Sequence, residues 1–315
     1  MKLNIKVFNH YKKLIYLSIL CVFIGVSSCT SQTPNSELLK VVATTTIIGD
    51  VVRIVGGEYI QLTVLLPVDT DPHSFSPAPK AIADIENADV VFINGFGLEE
   101  SLEDLIASTA EEKMISISEG IETIEFDAHS REENEHNHEG VDPHVWMSPI
   151  NVRIWVNNTV ETLTKLDPIH SEVYQSNAEA YLSELTDLHN WILEQIAQIP
   201  QENRLLITDH DTFSYFADLY SFKVIGVLLP GGSTLAEPSA QDIARLENDI
   251  EAFQVPAIFV SITGNQILAE RVSMDTGVKI IPLYTGSLSS SDGPVPTYIR
   301  MMRYNVTEIV NALKP

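Results

Sequence analysis

Short apolar runs alternate with amphipathic stretches along most of the chain, and the alternation occurs in two blocks. The first block predicts β-strands at Val41–Thr46, Ile60–Leu66, Asp89–Asn94 and Met114–Ser118. The second predicts strands at Leu205–Thr208, Lys223–Leu228, Ala257–Ser261 and Lys279–Leu283. Helices are predicted around these strands at Ile48–Gly56, Pro79–Asn87, Leu98–Ser108, Phe213–Leu219, Ala240–Phe253, Asn265–Thr276 and Tyr298–Lys314. Because strands that alternate with helices pair in parallel through crossover connections, each block predicts an α/β lobe of about four strand–helix units.

A long amphipathic segment lies between the two blocks. A preceding helix is predicted to begin near Ser148-Pro149 and to stop at Asp167-Pro168. Apolar residues then recur every three or four positions from Ile169 to Ile199, before Pro200. A helix of that length would measure about 45 Å. We interpret it as a rigid strut that connects the lobes, and a plain core helix is the alternative.

The amino terminus carries the features of an export signal. Four lysines precede an apolar stretch, Leu14 to Val26, that is too short to span a bilayer comfortably. The small residues directly before Cys29 resemble a bacterial lipobox, which predicts that Cys29 is the lipid-modified first residue of the mature protein. An ordinary signal peptide or an uncleaved membrane anchor is the alternative. The polar residues after Cys29 then form a tether.

The charge argues against a nucleic-acid-binding protein, and the cysteine content argues against a disulfide-stabilised scaffold. The formal net charge is −24, and loss of the signal, which holds four lysines and no acid, moves it to about −28. Such an acidic chain is not suited to nucleic acid, because few cationic groups remain to neutralise phosphates. Cys21 leaves with the signal, so the single remaining cysteine forms no disulfide framework.

These observations predict a domain organisation. Residues 1–28 are the signal peptide and residues 29–38 the lipidated tether. Residues 39–167 form the first lobe, residues 168–200 the connecting helix and residues 201–315 the second lobe. Within the first lobe, residues 129–140 form a polar, acidic surface loop without apolar periodicity. That loop contains His129, His136 and His138.

Three histidines come after predicted strands. Two of them follow shortly after a strand, and one follows a strand and a long polar loop. His73 and His144 each stand in an Asp-Pro-His sequence, and His210 lies between two aspartates. Ligands of open parallel sheets gather at the carboxyl ends of the strands, so we expect the three imidazoles to face one cleft between the lobes. Neutral imidazole suits zinc, copper, nickel and iron, whereas manganese prefers oxygen. The aspartates next to the histidines are candidates for orienting the rings: Asp71, Asp142, Asp209 and Asp211.

Several segments resemble one known family. They are Asp71-Pro72-His73-Ser74-Phe75-Ser76-Pro77, Asp142-Pro143-His144-Val145-Trp146-Met147-Ser148-Pro149, His210-Asp211-Thr212-Phe213-Ser214-Tyr215-Phe216, Glu237-Pro238-Ser239 and the closing Tyr298-Ile299-Arg300-Met301-Met302-Arg303-Tyr304-Asn305. In this order they resemble the metal-binding lipoproteins that serve as solute receptors of ABC importers for zinc, manganese or iron. The resemblance covers nearly the whole mature chain.

The resemblance implies a fold, a site and partners. The fold is a pair of (β/α)₄ lobes with parallel sheets, joined by one long helix, and the metal lies in the cleft between them. The family's histidine ligands map onto His73, His144 and His210. The partners are a membrane permease with its cytoplasmic ATPase. The protein is expected to be a monomer, exported and anchored by lipid to a bacterial membrane, in the periplasm or at the outer cell surface.

The chain departs from this family at two positions. The strand before the last one often ends in glutamate in the family, and Ser261 stands in that place here. Many members supply a carboxylate from an Asp-Ser-Leu near the last strand, and this sequence has Gly286-Ser287-Leu288 there. Three imidazoles without that carboxylate favour Zn²⁺ over Mn²⁺. Water or a histidine of the polar loop could complete the site. The loop with His129, His136 and His138 looks like the histidine-rich insertion of zinc-type members and is a candidate auxiliary metal site, with an incidental polar loop as the alternative.

The sequence therefore predicts an extracytoplasmic receptor, not an enzyme, that captures a divalent cation and delivers it to a permease. Zn²⁺ is the preferred ion, and a Mn²⁺ or Fe²⁺ receptor of the same type is the first alternative. A surface adhesin or metal buffer would use the same site without a permease. A zinc hydrolase is the remote alternative, because three histidines and a water molecule also occur in catalytic zinc sites.

Overall fold

The computed structural model describes residues 38–125, 140–230, 234–235, 237–264 and 266–315. Cys29 and the three histidines of the polar loop, His129, His136 and His138, lie outside the described residues. In the part of the chain from Leu38 onward that is described, no helix combines the length and the apolar character needed to cross a membrane.

The first sheet contains four parallel strands in the order β2-β1-β3-β4. The strands are β1 (Leu39–Ala43), β2 (Ile60–Val64), β3 (Val90–Ile93) and β4 (Met114–Ser116). They alternate with α1 (Thr46–Gly56), α2 (Pro79–Asn87) and α3 (Glu100–Ala110). All four residues of β3 are buried, since helices cover both faces of the sheet at its centre.

The second sheet repeats this topology with the order β6-β5-β7-β8, again all parallel. Its strands are β5 (Leu205–Thr208), β6 (Lys223–Val227), β7 (Ala257–Ser261) and β8 (Lys279–Leu283). Its helices are α6 (Ser214–Tyr220), α7 (Ala240–Phe253), α8 (Ile267–Thr276) and α9 (Tyr298–Leu313). The central strand β7 is buried along its whole length.

Two helices link the sheets. Helix α4 (Pro149–Leu166) begins after Ser148, whose side chain accepts a hydrogen bond from the Asn151 amide. Helix α5 (Ser171–Ile196) has 26 residues and is therefore about 39 Å long. It packs against α4 and α1 and also against α9. Its buried side chains are the seven expected from the apolar spacing: Tyr174, Ala178, Tyr181, Leu185, Leu188, Ile192 and Ile196.

The hydrophobic core is continuous between the lobes. One cluster of buried residues includes side chains from β1, α1, α4, α5, α9 and the second sheet. Two smaller clusters cover the other face of each sheet, one beneath α2 and α3 and one beneath α7 and α8. Because α5 and α9 pack on the shared cluster, burial of apolar surface holds the two lobes together.

The predicted fold class, two parallel α/β lobes, is confirmed, while individual boundaries shift. The first strand was expected to extend to Thr46, but it ends at Ala43. Thr45 instead caps α1, with its hydroxyl accepting a hydrogen bond from the Ile48 amide. A β-branched residue fits either role, so the apolar pattern alone does not show where the strand stops.

Candidate metal centre

Three loops on one side of the two sheets carry the candidate ligands. His73 lies in the connection between β2 and α2, and His210 comes two residues after the end of β5. His144 directly precedes a short 3₁₀ turn, Val145–Met147, that leads into α4. The carboxyl ends of parallel strands meet at the same sheet edge, so residues that are distant in sequence converge there.

The three imidazoles meet around a single point. The Nε2 atoms of His73 and His144 are 3.1 Å apart, and those of His144 and His210 are 3.3 Å apart. All three rings offer a ligand atom within 4.8 Å of the others. Two nitrogens bound at 2.0–2.1 Å to one tetrahedral zinc ion would lie about 3.4 Å apart. The observed separations therefore match nitrogens that share one cation.

Two of the rings are oriented by carboxylates. Nδ1 of His144 lies 2.8 Å from Oδ1 of Asp142, and Nδ1 of His210 lies 3.1 Å from Oδ1 of Asp209. A carboxylate accepts, so each neutral ring carries its proton on Nδ1 and has a lone pair on Nε2. When both rings are neutral, these two lone pairs lie on nitrogens 3.3 Å apart. A cation between them removes the repulsion, which makes this geometry suited to metal capture.

The two carboxylates are themselves held in place. Oδ1 of Asp142 also accepts from the His144 amide at 2.8 Å. Oδ2 of Asp209 accepts from the Ser261 amide at 2.8 Å, at the end of β7. Asp71 differs, since its Oδ1 accepts from the backbone amide of His73 rather than from the ring. Asp142 and Asp209 therefore fulfil the orienting role expected of the neighbouring aspartates, and Asp71 instead shapes the loop.

Burial and the neighbouring carboxylates together set the charge of the imidazoles. Desolvation, with a smaller effect of the two neighbouring histidines, lowers the pKa of His73 to about 2. Desolvation also lowers the pKa of His144, although Asp142 opposes it. For His210, desolvation is outweighed by the charge and hydrogen bond of Asp209, and the pKa is raised. At least two of the three rings are thus kept neutral, which is the form that binds metals.

Hydroxyl groups surround the remaining space in the centre. The cavity at the histidines leaves about 10 Å³ for the centre of a water-sized sphere, enough for one ion or one water but not for an organic substrate. Besides the histidines it is lined by Asp71, Pro72, Thr212, Thr234, Ser261, Thr263, Thr285 and Gly286. Thr212 Oγ1 lies 2.8 Å from His210 Nε2. The sequence singled out Ser261 only as a replacement for a glutamate and gave the other hydroxyls no role, although Thr212 and Thr285 lie shortly after strand ends, where the same rule applies.

The centre lies in a contact between the lobes. The indole Nε1 of Trp146, whose ring packs edge-on against His144, donates to the Thr285 carbonyl at 2.7 Å. The hydroxyl of Tyr298 donates to the Trp146 carbonyl at 2.7 Å. Both bonds are buried and join the first lobe to the second. The segment that carries His144 is therefore anchored to both halves of the molecule.

The other histidines that the structure describes lie elsewhere. His170 stacks on Tyr59 with ring centres 4.1 Å apart, and its Nδ1 lies 2.6 Å from Asp167 Oδ2. His189 contacts the hydroxyl of Tyr220 at 3.0 Å. Within the described residues, His73, His144 and His210 form the one group of three or more histidine, cysteine or acidic side chains whose ligand atoms converge.

Known proteins are similar to this chain along almost its full length. The family model described as zinc-uptake complex component A, periplasmic, matches residues 41–312. A manganese-binding lipoprotein, MntA, of Halalkalibacterium halodurans is 33% identical over 90% of this chain and 91% of that protein. An iron ABC transporter substrate-binding lipoprotein, MtsA, of Streptococcus pyogenes serotype M1 is 30% identical over 95% of this chain and 97% of that protein.

Solved structures agree with these matches. The periplasmic zinc binding protein TroA of Treponema pallidum superimposes with a TM-score of 0.80 and 26% identity, over 89% of this chain and 100% of that chain. A manganese-bound periplasmic metal binding protein from Candidatus Liberibacter asiaticus superimposes with a TM-score of 0.74 and 26% identity, over 87% of this chain and 98% of that chain. By sequence and by fold, this chain belongs to the zinc-uptake complex component A family.

Proposed function

We propose that this protein is an exported receptor of an ABC importer, which captures Zn²⁺ between its lobes and delivers it to a membrane permease. The observation that best supports this proposal is the spacing of the three imidazole nitrogens. Nε2 of His144 lies 3.1 Å from Nε2 of His73 and 3.3 Å from Nε2 of His210. His73, His144 and His210 are the proposed ligands. The metal is cargo, so each binding event must be reversible at the permease.

Family membership supports the metal-receptor part of this proposal, and the ligand set supports the choice of ion. The relatives described above are named for manganese and iron, and a structural neighbour for zinc, so their names do not select one metal. Three imidazoles form a nitrogen-rich set that suits tetrahedral zinc, whereas manganese favours carboxylates and more ligands. At the position of the family's usual aspartate this chain has Gly286. Manganese or iron remains the alternative cargo.

Water is the proposed fourth ligand. Threonine and serine hydroxyls line the cavity and are placed to form hydrogen bonds with such a solvent ligand. A solvent ligand exchanges quickly and can be replaced when the receptor docks. A site with one exchangeable position is therefore compatible with release of the cargo.

The acidic groups around the centre argue against a hydrolase. A hydrolase needs a base that is free to take a proton from the metal-bound water. Here Asp142 and Asp209 are engaged by the imidazoles. Asp71 accepts from the His73 amide and from the hydroxyls of Ser74 and Thr234. The cavity is also too small for an organic substrate, so binding and release account better for this site than turnover.

The export features extend the proposal to location and partners. Cys29 follows a lipobox-like sequence and is the proposed lipid-anchored residue. MntA is named a lipoprotein and MtsA an ABC transporter substrate-binding lipoprotein, which supports an anchored protein that serves a permease and its ATPase. His129, His136 and His138 are proposed as a weaker, auxiliary binding loop.

Growth under zinc starvation distinguishes a receptor from a surface buffer, since only loss of a receptor impairs growth that added zinc restores.

Titration of the purified, chelator-treated protein with Zn²⁺ and Mn²⁺ tests the proposal. We expect one tightly bound zinc ion per chain in the cleft and weaker binding of manganese. The His73→Ala/His144→Ala variant should lose this site, while His170→Ala/His189→Ala, which removes two histidines outside the centre, should keep it. Failure to bind any divalent ion contradicts the receptor function. Tighter binding of manganese than of zinc selects the alternative cargo.

A further inference from the structure

The loop that carries His73 belongs to the first lobe by sequence, but the second lobe holds it in place. The backbone amide of Asp69 donates to Ser287 Oγ at 3.0 Å. The hydroxyl of Thr234 donates to Oδ2 of Asp71. Pro72 is buried, whereas Ser74 and Ser76 beyond the histidine are exposed. The loop is thus docked across the cleft up to His73. After it, exposed serines alternate with the half-buried Phe75 and Pro77, and Phe75 packs on the first lobe.

In this docking Pro72 packs tightly against Gly286. A Cβ atom added to Gly286 would lie 2.9 Å from Cδ and 3.4 Å from Cγ of Pro72. Both of these atoms belong to a rigid ring, so they cannot move aside as the tip of a flexible side chain could. The φ angle of Gly286 lies outside the left-handed region. Glycine is therefore required here by the lack of space for a Cβ atom and not by the backbone conformation.

Hydrogen bonds hold the backbone on both sides of Gly286 in place. Ser287 Oγ donates to the Leu288 carbonyl at 3.0 Å while it accepts from Asp69. The Leu288 amide donates to Thr46 Oγ1 at 2.8 Å, which ties the segment to the first turn of α1. The Thr285 carbonyl accepts from Trp146. Because Thr285 and Ser287 are both held by hydrogen bonds, the backbone at Gly286 cannot shift away from Pro72 to accommodate a side chain.

We propose that Gly286 is the seat for Pro72, and that this contact sets the metal affinity by placing His73 in the centre. The inference rests on the proposed function and deepens it. Residue 286 acts through closure of the His73 loop and not through coordination. The missing carboxylate then reflects a site in which a loop proline fills the room beside the ion, and the ligand set is limited to imidazoles and solvent.

Zinc titration of Gly286→Ala tests the steric part of the proposal. Overpacking of a buried contact is expected to weaken zinc binding by about tenfold or more, because the loop with His73 must move outward. Removal of the proline ring should relieve the overlap, so Pro72→Ala/Gly286→Ala should bind zinc as tightly as Pro72→Ala alone. If Gly286→Ala fails to fold, the comparison of Pro72→Ala/Gly286→Ala with Pro72→Ala still tests the proposal. A double variant that binds much more weakly than Pro72→Ala overturns the proposal.

A second comparison tests the route through His73. In a His73→Ala background, Gly286→Ala should change the remaining zinc affinity by less than about twofold, because no ring is left to misplace. The same tenfold loss in that background overturns the proposal, since residue 286 would then act on the other ligands. Wild-type protein that binds zinc no more tightly than Gly286→Ala overturns this inference alone. Wild-type protein that binds no zinc overturns the proposed function as well.

Discussion

The Nδ1 atom of His144 lies 2.8 Å from Oδ1 of Asp142, and both side chains are almost completely excluded from solvent. The same carboxylate oxygen accepts the backbone amide of His144, so one atom fixes both the loop and the ring. The backbone carbonyl of Asp142 accepts from the hydroxyl of Tyr215, in the second lobe, at 2.9 Å. The carboxylate therefore selects the tautomer that presents the lone pair of Nε2 to the cleft.

Asp142→Asn should weaken zinc binding while it preserves the shape of the site. The amide no longer stabilises the positive charge that develops on the ring when the metal binds, and such orienting partners typically contribute roughly 10–100-fold in metal affinity. Competition with a zinc chelator of known affinity measures the loss. Asp187→Asn is the matched control, because it makes the same charge change at an exposed position on α5, outside the centre. Equal affinities of Asp142→Asn and Asp187→Asn would contradict an orienting role.

The hydrogen bond between Tyr298 and Trp146 should stabilise the whole fold. Tyr298→Phe leaves the buried carbonyl of Trp146 without this donor, which costs about 1–3 kcal/mol. Urea denaturation of the metal-free protein measures the free energy of unfolding. Tyr284→Phe removes a hydroxyl from a partly exposed tyrosine and should cost much less. Similar costs for the two variants would show that the buried bond between the lobes contributes little.

Asp167 should make stability depend on pH. Burial alone would raise the pKa of this carboxyl, but hydrogen bonds from Tyr174 and His170 outweigh it and hold the pKa below its ordinary value. A lowered carboxyl pKa stabilises the fold above the pKa of the unfolded chain, and this contribution disappears as pH falls through the folded value. Asp167→Asn should therefore be destabilised at pH 7 by about 1 kcal/mol and should match the wild type near pH 2.

Denaturation of both proteins across this pH range, with pH-matched urea series, measures the difference. Asp187→Asn changes an exposed aspartate on α5 and serves as the control, with little expected effect at either pH. A cost of Asp167→Asn that stays constant from pH 7 to pH 2 would contradict the assignment of that stability to the ionised carboxylate.

Zinc should stabilise the folded chain through ligands from both lobes. A ligand that binds only the folded state adds about 2.7 kcal/mol when its free concentration is 100 times Kd. Thermal unfolding of wild type with and without zinc should show this as a higher midpoint. His210→Ala, which removes the imidazole of the second lobe, should lose most of the shift, and His189→Ala should keep it. An undiminished shift in His210→Ala would place the stabilising ion elsewhere.

The lobes and the three histidines could be predicted from sequence because both follow from local rules. Apolar runs of strand length alternate with helical patterns, and parallel sheets collect ligands at their carboxyl ends. The seven apolar positions of the long helix are buried as expected, from Tyr174 to Ile196. Boundaries were less accurate where one residue fits two roles, as Thr45 does at the end of β1.

The contacts that complete the centre could not be predicted, because they join positions far apart in the chain. The bond between Tyr298 and Trp146 spans 152 residues, and no periodicity relates its two ends. Gly286 illustrates the limit best. The sequence shows only that a carboxylate is missing there, whereas the three-dimensional structure shows Pro72 in the adjacent space. The roles of Cys29, His129, His136 and His138 stay predictions.

The central claim is that imidazoles from both lobes bind one divalent cation. X-ray absorption at the zinc edge of the protein loaded with one equivalent of zinc tests it most directly. The account predicts three imidazole nitrogens and one further light-atom ligand at about 2.0–2.1 Å, and two imidazoles after His210→Ala. A spectrum with fewer than three imidazoles in the wild type, or one that His210→Ala leaves unchanged, would contradict it.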